Sequence, residues 1–293
     1  MMTDSRLNLS AGFASVSVAM ILVIAKLWAL SQTGALSIGA SLADSAMDLM
    51  MALGGLMAIY YAARPPDEDH RFGHTSAEDL AALGQSTFIL LSSGVIAVSA
   101  LRRLLSPAPV LVGQETAGVA VMVLSIILTV CLVLWQRRVA QTTGSKVVAA
   151  DSLHYLGDLV PNIGAIIALM ASAAFGLTMI DSVVALAAAA MLALGGLRIG
   201  KSAWDALMDR SAPQDIVDNI ARIARNFDGV DDFHDLKTRM AGSKPFIHVH
   251  IEVNGDQTLR EAHAISAGLK SAILDVYPRA DVIIHKDVSG EAD

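Results

Sequence analysis

The chain is expected to fold as a membrane α-helical bundle of six transmembrane helices followed by a small cytoplasmic α+β domain, and three observations carry that expectation. Of its 293 residues, 54% are hydrophobic and only 17% charged, too apolar a balance for a soluble protein of this length. Six apolar stretches reach the roughly 20 residues needed to cross a hydrocarbon core. From about Asp209 onward, charged residues alternate with short apolar runs, the pattern of a soluble domain. The expected division is 1–208 for the transmembrane domain and 209–293 for the soluble one.

The spans fall at about Leu9–Leu30, Leu36–Ala63, Leu80–Leu101, Thr116–Trp135, Val147–Phe175 and Met179–Leu197. The first has a longer apolar run than the ~7–15 residues of a signal core and no cleavage site after it, so it reads as a retained helix. Arg6, Arg64, Arg71, Arg137, Arg138, Lys146, Lys201 and Arg210 fall on one side of this arrangement, against Arg102 and Arg103 near the other. The positive-inside rule then places both termini, and the soluble domain, in the cytoplasm. The single cysteine, Cys131, lies within the fourth span, which excludes a disulfide framework and any multi-thiolate site. A metal bound here must use nitrogen and oxygen. The net charge of −7 argues against a nucleic-acid partner and suits the handling of cations.

The second span carries two aspartates, Asp44 and Asp48, where a charge costs at least ~2.5–3.5 kcal/mol on insertion scales. Their i,i+4 spacing puts both carboxylates on one helix face. The fifth span repeats the device with His154 and Asp158, and Asn162 continues that face. At 1.5 Å per residue, Asp48 lies about 18 Å from the outer end of its span and Asp158 about 16 Å from the inner end of its own. Both approach the midplane of a core about 30 Å thick. Three carboxylates and an imidazole form a borderline ligand set, suited to tetrahedral zinc and less so to six-coordinate magnesium. A lone membrane aspartate often only bonds a neighbouring helix. Two such pairs at matched depth point instead to a substrate site, since transporters place theirs at the midplane. Metal binds only deprotonated carboxylate and neutral imidazole, so protons compete for the same groups.

Between spans two and three, RPPDEDHRFGHTSAED brings Asp67, His70 and His74 close in sequence. The spacing admits either a solvated acidic loop or a second metal site, and Gly73 breaks the helix that would align the histidines. The soluble domain reads as helix at Gln214–Asn226, strands at Asp232–Met240 and Phe246–Val253, helix at Leu259–Val276 and strand at Asp281–His285, an αββαβ order. Five of the eight histidines fall here: His234, His248, His250, His263 and His285. In a strand, His248 and His250 share a face, as do His285 and Asp287. His263, on the second helix, reads equally as a surface residue or a ligand.

DxxxD in span two, HxxxD in span five, the loop DEDHRFGH and the ending VIIHKD together resemble the bacterial cation diffusion facilitator family, zinc and ferrous-iron efflux type, over nearly the whole chain. The resemblance implies proton-coupled export of divalent metal by a homodimer with alternating access in the bacterial inner membrane. It implies a transport site at Asp44, Asp48, His154 and Asp158, and a loop site at Asp67, His70 and His74. It also implies a metallochaperone-like soluble domain with a binuclear zinc site near the dimer interface, held by His234, His250, His263, His285 and Asp287. His248 departs from the pattern, which has glutamine there. Ser76 stands where relatives often carry lysine, which removes an ion pair to Asp209. Zinc is the first-choice cargo, with iron(II) and cadmium as alternatives; a membrane-anchored metal sensor is the competing class. An intramembrane zinc protease is excluded, since no histidine is followed by the glutamate of HExxH.

Overall fold

The computed structural model describes residues 2–33, 36–105, 116–159 and 180–290. The bundle contains α1 (Met2–Thr33), α2 (Leu36–Ala62), α3 (Ser76–Leu105), α4 (Thr116–Thr143), α5 over residues 146–159 and α6 (Ile180–Leu207). Among the described residues, five helices (α1, α2, α3, α4 and α6) are long and apolar enough to cross a membrane. The remainder of the expected fifth span, including Asn162, lies outside the described residues. Several helices outrun their apolar stretches: α1 begins at Met2, α4 ends at Thr143 and α6 ends at Leu207. Apolar length measures the hydrocarbon. Helical bonding satisfies the backbone equally well in the interface beyond it.

Helix α1 packs along α2 and α4, and α2 packs against α3. Small residues set the approach of α5 to α6: a Cβ at Gly195 would lie 2.6 Å from Leu153 Cδ2, and one at Gly157 2.9 Å from Leu192 Cδ2. A Cβ at Gly54 would meet nothing within 4 Å among the described residues, so that glycine is not part of a close helix contact.

Polar ties add specificity at the bundle's helix ends. Lys146 Nζ donates to Asp79 Oδ1 at 2.7 Å and to the Ser202 carbonyl at 3.3 Å, joining α5, α3 and α6. The Asp79 side chain is 1% exposed. Removing one member of a buried ion pair costs about 3–5 kcal/mol because the other charge stays desolvated. Lys146→Met should therefore lower the thermal unfolding midpoint in detergent, and adding Asp79→Asn should restore most of the loss. A single mutant as stable as the parent would show that the pair contributes nothing.

Asp205–Asp293 form a second compact unit, distinct from Met2–Trp204. It runs α7 (Gln214–Arg225), β1 (Asp232–Ala241), β2 (Lys244–Val253), α8 (Leu259–Val276) and β3 (Asp281–Val288). The sheet order is β1-β2-β3, antiparallel then parallel. Ala241 opposes Lys244, leaving a two-residue turn in which Gly242 takes φ +56, the left-handed conformation that tight hairpins demand. The parallel β2–β3 pairing requires a crossover, and α8 supplies it. Thr258 and Glu261 start α8 with a reciprocal capping box.

Strand alternation gives the sheet two faces. Ile247, Val249, Ile251 and Val253 of β2 point to a core with Ile220 and Ala224 of α7 and Leu269 and Ile273 of α8. His248, His250 and Glu252 point the other way.

Candidate metal centre

Three groups of potential metal ligands converge among the described residues. In the bundle, Asp48 on α2 and His154 and Asp158 on α5 place ligand atoms within 4.8 Å of one another. His154 Nε2 lies 3.0 Å from Asp48 Oδ1. The i,i+4 spacing puts His154 and Asp158 on one face of α5, and that face meets α2 at Asp48. Phe88 stands edge-on to the imidazole with ring centroids 5.7 Å apart, an apolar wall beside polar ligands. Asp44, one turn away on α2, is exposed and lies outside this trio.

In the loop after α2, Asp67 collects both histidines. Its Oδ1 lies 3.2 Å from His70 Nδ1 and its Oδ2 3.1 Å from His74 Nε2. The His70 backbone N–H also donates to Oδ1 at 2.7 Å. That bond first, then the His70 and His74 side chains, hold the Asp67 carboxyl below its ordinary 3.8, so it stays an anion. The histidines are aligned by this turn and not by a helix. Gly73, at φ +92, permits the reversal that swings His74 back toward Asp67. His74 is buried against Tyr61, and its Nδ1 has no hydrogen-bond partner.

On the outward face of the sheet, His234, His250 and His285 form one row across three strands: His234 opposes His250, and His250 pairs with His285. Asp287 serves all three. Its Oδ2 lies 3.0 Å from His250 Nδ1 and 3.4 Å from His234 Nε2, and its Oδ1 lies 3.1 Å from His285 Nε2. A bulge in β1 between His234 and Lys237 shifts the register, so these residues, three apart, face the same side. Asp235 occupies the bulge with φ +47, a conformation aspartate tolerates better than most side chains. A hydrogen bond from Lys237 is the main reason its carboxyl titrates below the usual range. His263, exposed on α8, and His285 both lie outside the group of His234, His250 and Asp287 whose ligand atoms are within 4.8 Å of one another, and His248 is exposed on β2.

Residues 12–208 match the cation efflux transmembrane domain, and residues 212–288 match the cytoplasmic domain of cation efflux proteins. The chain belongs to the cation efflux family. It is 38% identical over 282 residues to the cation-efflux pump FieF of Cronobacter sakazakii, covering 96% of this chain and 93% of that one. It is 37% identical over 283 residues to the pump of the same name from Serratia proteamaculans, covering 97% and 93%. The metal-bound C-terminal domain of the CzcD transporter from Thermotoga maritima is 28% identical, over 27% of this chain and 94% of that one, with a TM-score of 0.26. The cation efflux chain is thus a multi-pass membrane protein of a metal-exporting family and not an enzyme.

The family's motifs were visible in sequence; three of this cation efflux protein's polar neighbours were not. Lys26 of α1 donates to Ser45 on α2 at 2.6 Å. Gln136 of α4 donates to Asp151 of α5 at 2.6 Å. Ser15 donates to Tyr155 at 3.3 Å, tying α1 to α5. A single polar residue in an apolar span carries no periodic signal, so only packing reveals its partner.

Proposed function

We propose that this protein exports a divalent transition metal, zinc first, in exchange for protons by alternating access, through a site made by Asp44, Asp48, His154 and Asp158. The observation that carries this reading is the convergence of Asp48, His154 and Asp158 within 4.8 Å between α2 and α5. The donor set, carboxylates with one imidazole, suits zinc, iron(II) and cadmium. With the site open to the cytoplasm, metal displaces protons from these groups; facing outward, protons displace metal. The division at 208/209, cytoplasmic termini and an inner-membrane location follow from composition and the asymmetry of arginine and lysine.

The soluble unit's residues fit zinc as a resident ion. Asp287 turns one oxygen to His285 and the other to His234 and His250, so its carboxylate offers an anion to donors on all three strands. His234, His250, His285 and Asp287 would hold the metal, with His263 available from α8. Bound zinc supplies positive charge that draws these donors together and favours a homodimer whose pairing depends on cytoplasmic metal. Asp67, His70 and His74 form a further site of the same chemistry.

The test is initial uptake of zinc, iron(II) and cadmium into proteoliposomes under an imposed pH gradient. Zinc should move fastest. No flux of any metal would favour a membrane-anchored sensor. In the same assay Asp44→His should keep zinc transport and lose most cadmium transport, because imidazole fixes one nitrogen at ~2.0–2.1 Å from zinc where carboxylate tolerates a larger ion. A cadmium-to-zinc ratio that is unchanged or higher would remove Asp44 from selectivity.

A further inference from the structure

Lys26 lies toward the C-terminal end of the span Asp4–Ser31, near enough to that end for its stem to carry the ammonium to the interface. It turns inward instead. Its Nζ donates a 2.6 Å hydrogen bond to Ser45 Oγ, and Ser45 is buried, 1% exposed, on α2 between Asp44 and Asp48. Ser45 adjoins Asp44 and stands one turn before Asp48, so the hydrogen bond holds the ammonium beside the acidic stripe of α2. A cation has therefore been built beside a site for cations, which weakens the binding of any positive ion there.

The charge arithmetic suggests why that is useful. Asp48 and Asp158 of the trio, with Asp44 one turn away on α2, carry three negative charges beside a neutral imidazole, and a divalent ion leaves one of them unbalanced. With Lys26 the site carries two, which one divalent ion neutralises. In hydrocarbon surroundings an unbalanced charge is expensive in either direction, so the match favours divalent cargo. We propose that Lys26 is a positioning counter-charge that sets the transport site to divalent cations and keeps its grip loose enough for release. This rests on the transport site proposed above. Ser45 holds the ammonium in place.

The experiment compares Lys26→Gln, Lys26→Met and Lys26→Arg in the full chain. Zinc affinity is read by chelator competition in detergent, taking as the intramembrane component the binding that Asp158→Ala removes. Turnover is read in proteoliposomes. Gln keeps a donor for Ser45 while removing the charge, Met keeps the apolar stem, and Arg keeps the charge. Gln and Met should each tighten intramembrane zinc binding at least tenfold and lower the maximal rate at least tenfold, while Arg stays within about threefold of the parent in both. Affinity that is unchanged or weaker in a folded Gln variant would overturn the proposal, as would Arg behaving like Met. Failure of the site itself reads differently, because Asp158→Ala would then remove no zinc binding at all.

Discussion

Asp158→Ala is expected to abolish metal transport while the protein remains folded. The residue is exposed within its unit, so truncating it opens no core cavity, and removing a charge from an expected membrane span does not penalise insertion. What disappears is one oxygen donor of a trio whose atoms lie within 4.8 Å. Loss of a single supporting neighbour of a metal ligand typically costs 10–100-fold in affinity, and loss of the ligand itself should cost more than ~100-fold. Zinc flux and the unfolding midpoint, measured on the same preparation, check both halves. Asp48→Ala should behave alike, with the added effect that His154 Nε2 loses the carboxylate 3.0 Å away. Substantial flux in a well-folded Asp158→Ala protein would remove the trio from the transport path.

The second large effect is expected at Asp287. Asp287→Ala withdraws at once the oxygens facing His250, His234 and His285, leaving three imidazoles with no shared anion. Zinc binding by the soluble unit should fall at least ~100-fold, the paired soluble domains should loosen, and transport should decline only in part. The cleanest reading uses the full chain carrying Asp158→Ala, so that the intramembrane component is silent. The fold should survive, because the side chain belongs to the outward face of β3 and not to the core around Ile247 and Ile251. Unchanged zinc affinity in the double variant would require a different set of cytoplasmic ligands.

Sequence reasoning reached as far as periodicity does. The i,i+4 pairs on two spans placed Asp48, His154 and Asp158 on facing stripes at one depth, because helix geometry converts spacing into position. Alternation in β2 likewise puts His250 and Ile251 on opposite faces of the sheet. What escaped was whatever depends on neighbours or on a break in period. Lys26 is one charge in a long apolar run and names no partner. Asp44, equal to Asp48 in spacing, stands apart from the trio because facing stripes do not settle which turn of α2 meets α5. The β1 bulge brings Lys237 to the face of His234, where strict alternation would have opposed them. In the loop, Gly73 looked like an obstacle to alignment; the turn around Asp67 makes it part of the alignment.

The central claim is that one intramembrane site exchanges a divalent metal for protons, and simultaneous recording of zinc entry and lumenal pH in the same proteoliposomes tests it most directly. The account predicts that zinc entering the vesicles moves protons in the opposite direction, and that Asp158→Ala silences both signals together. Zinc flux with no proton movement, or either signal persisting in the folded variant, would contradict it.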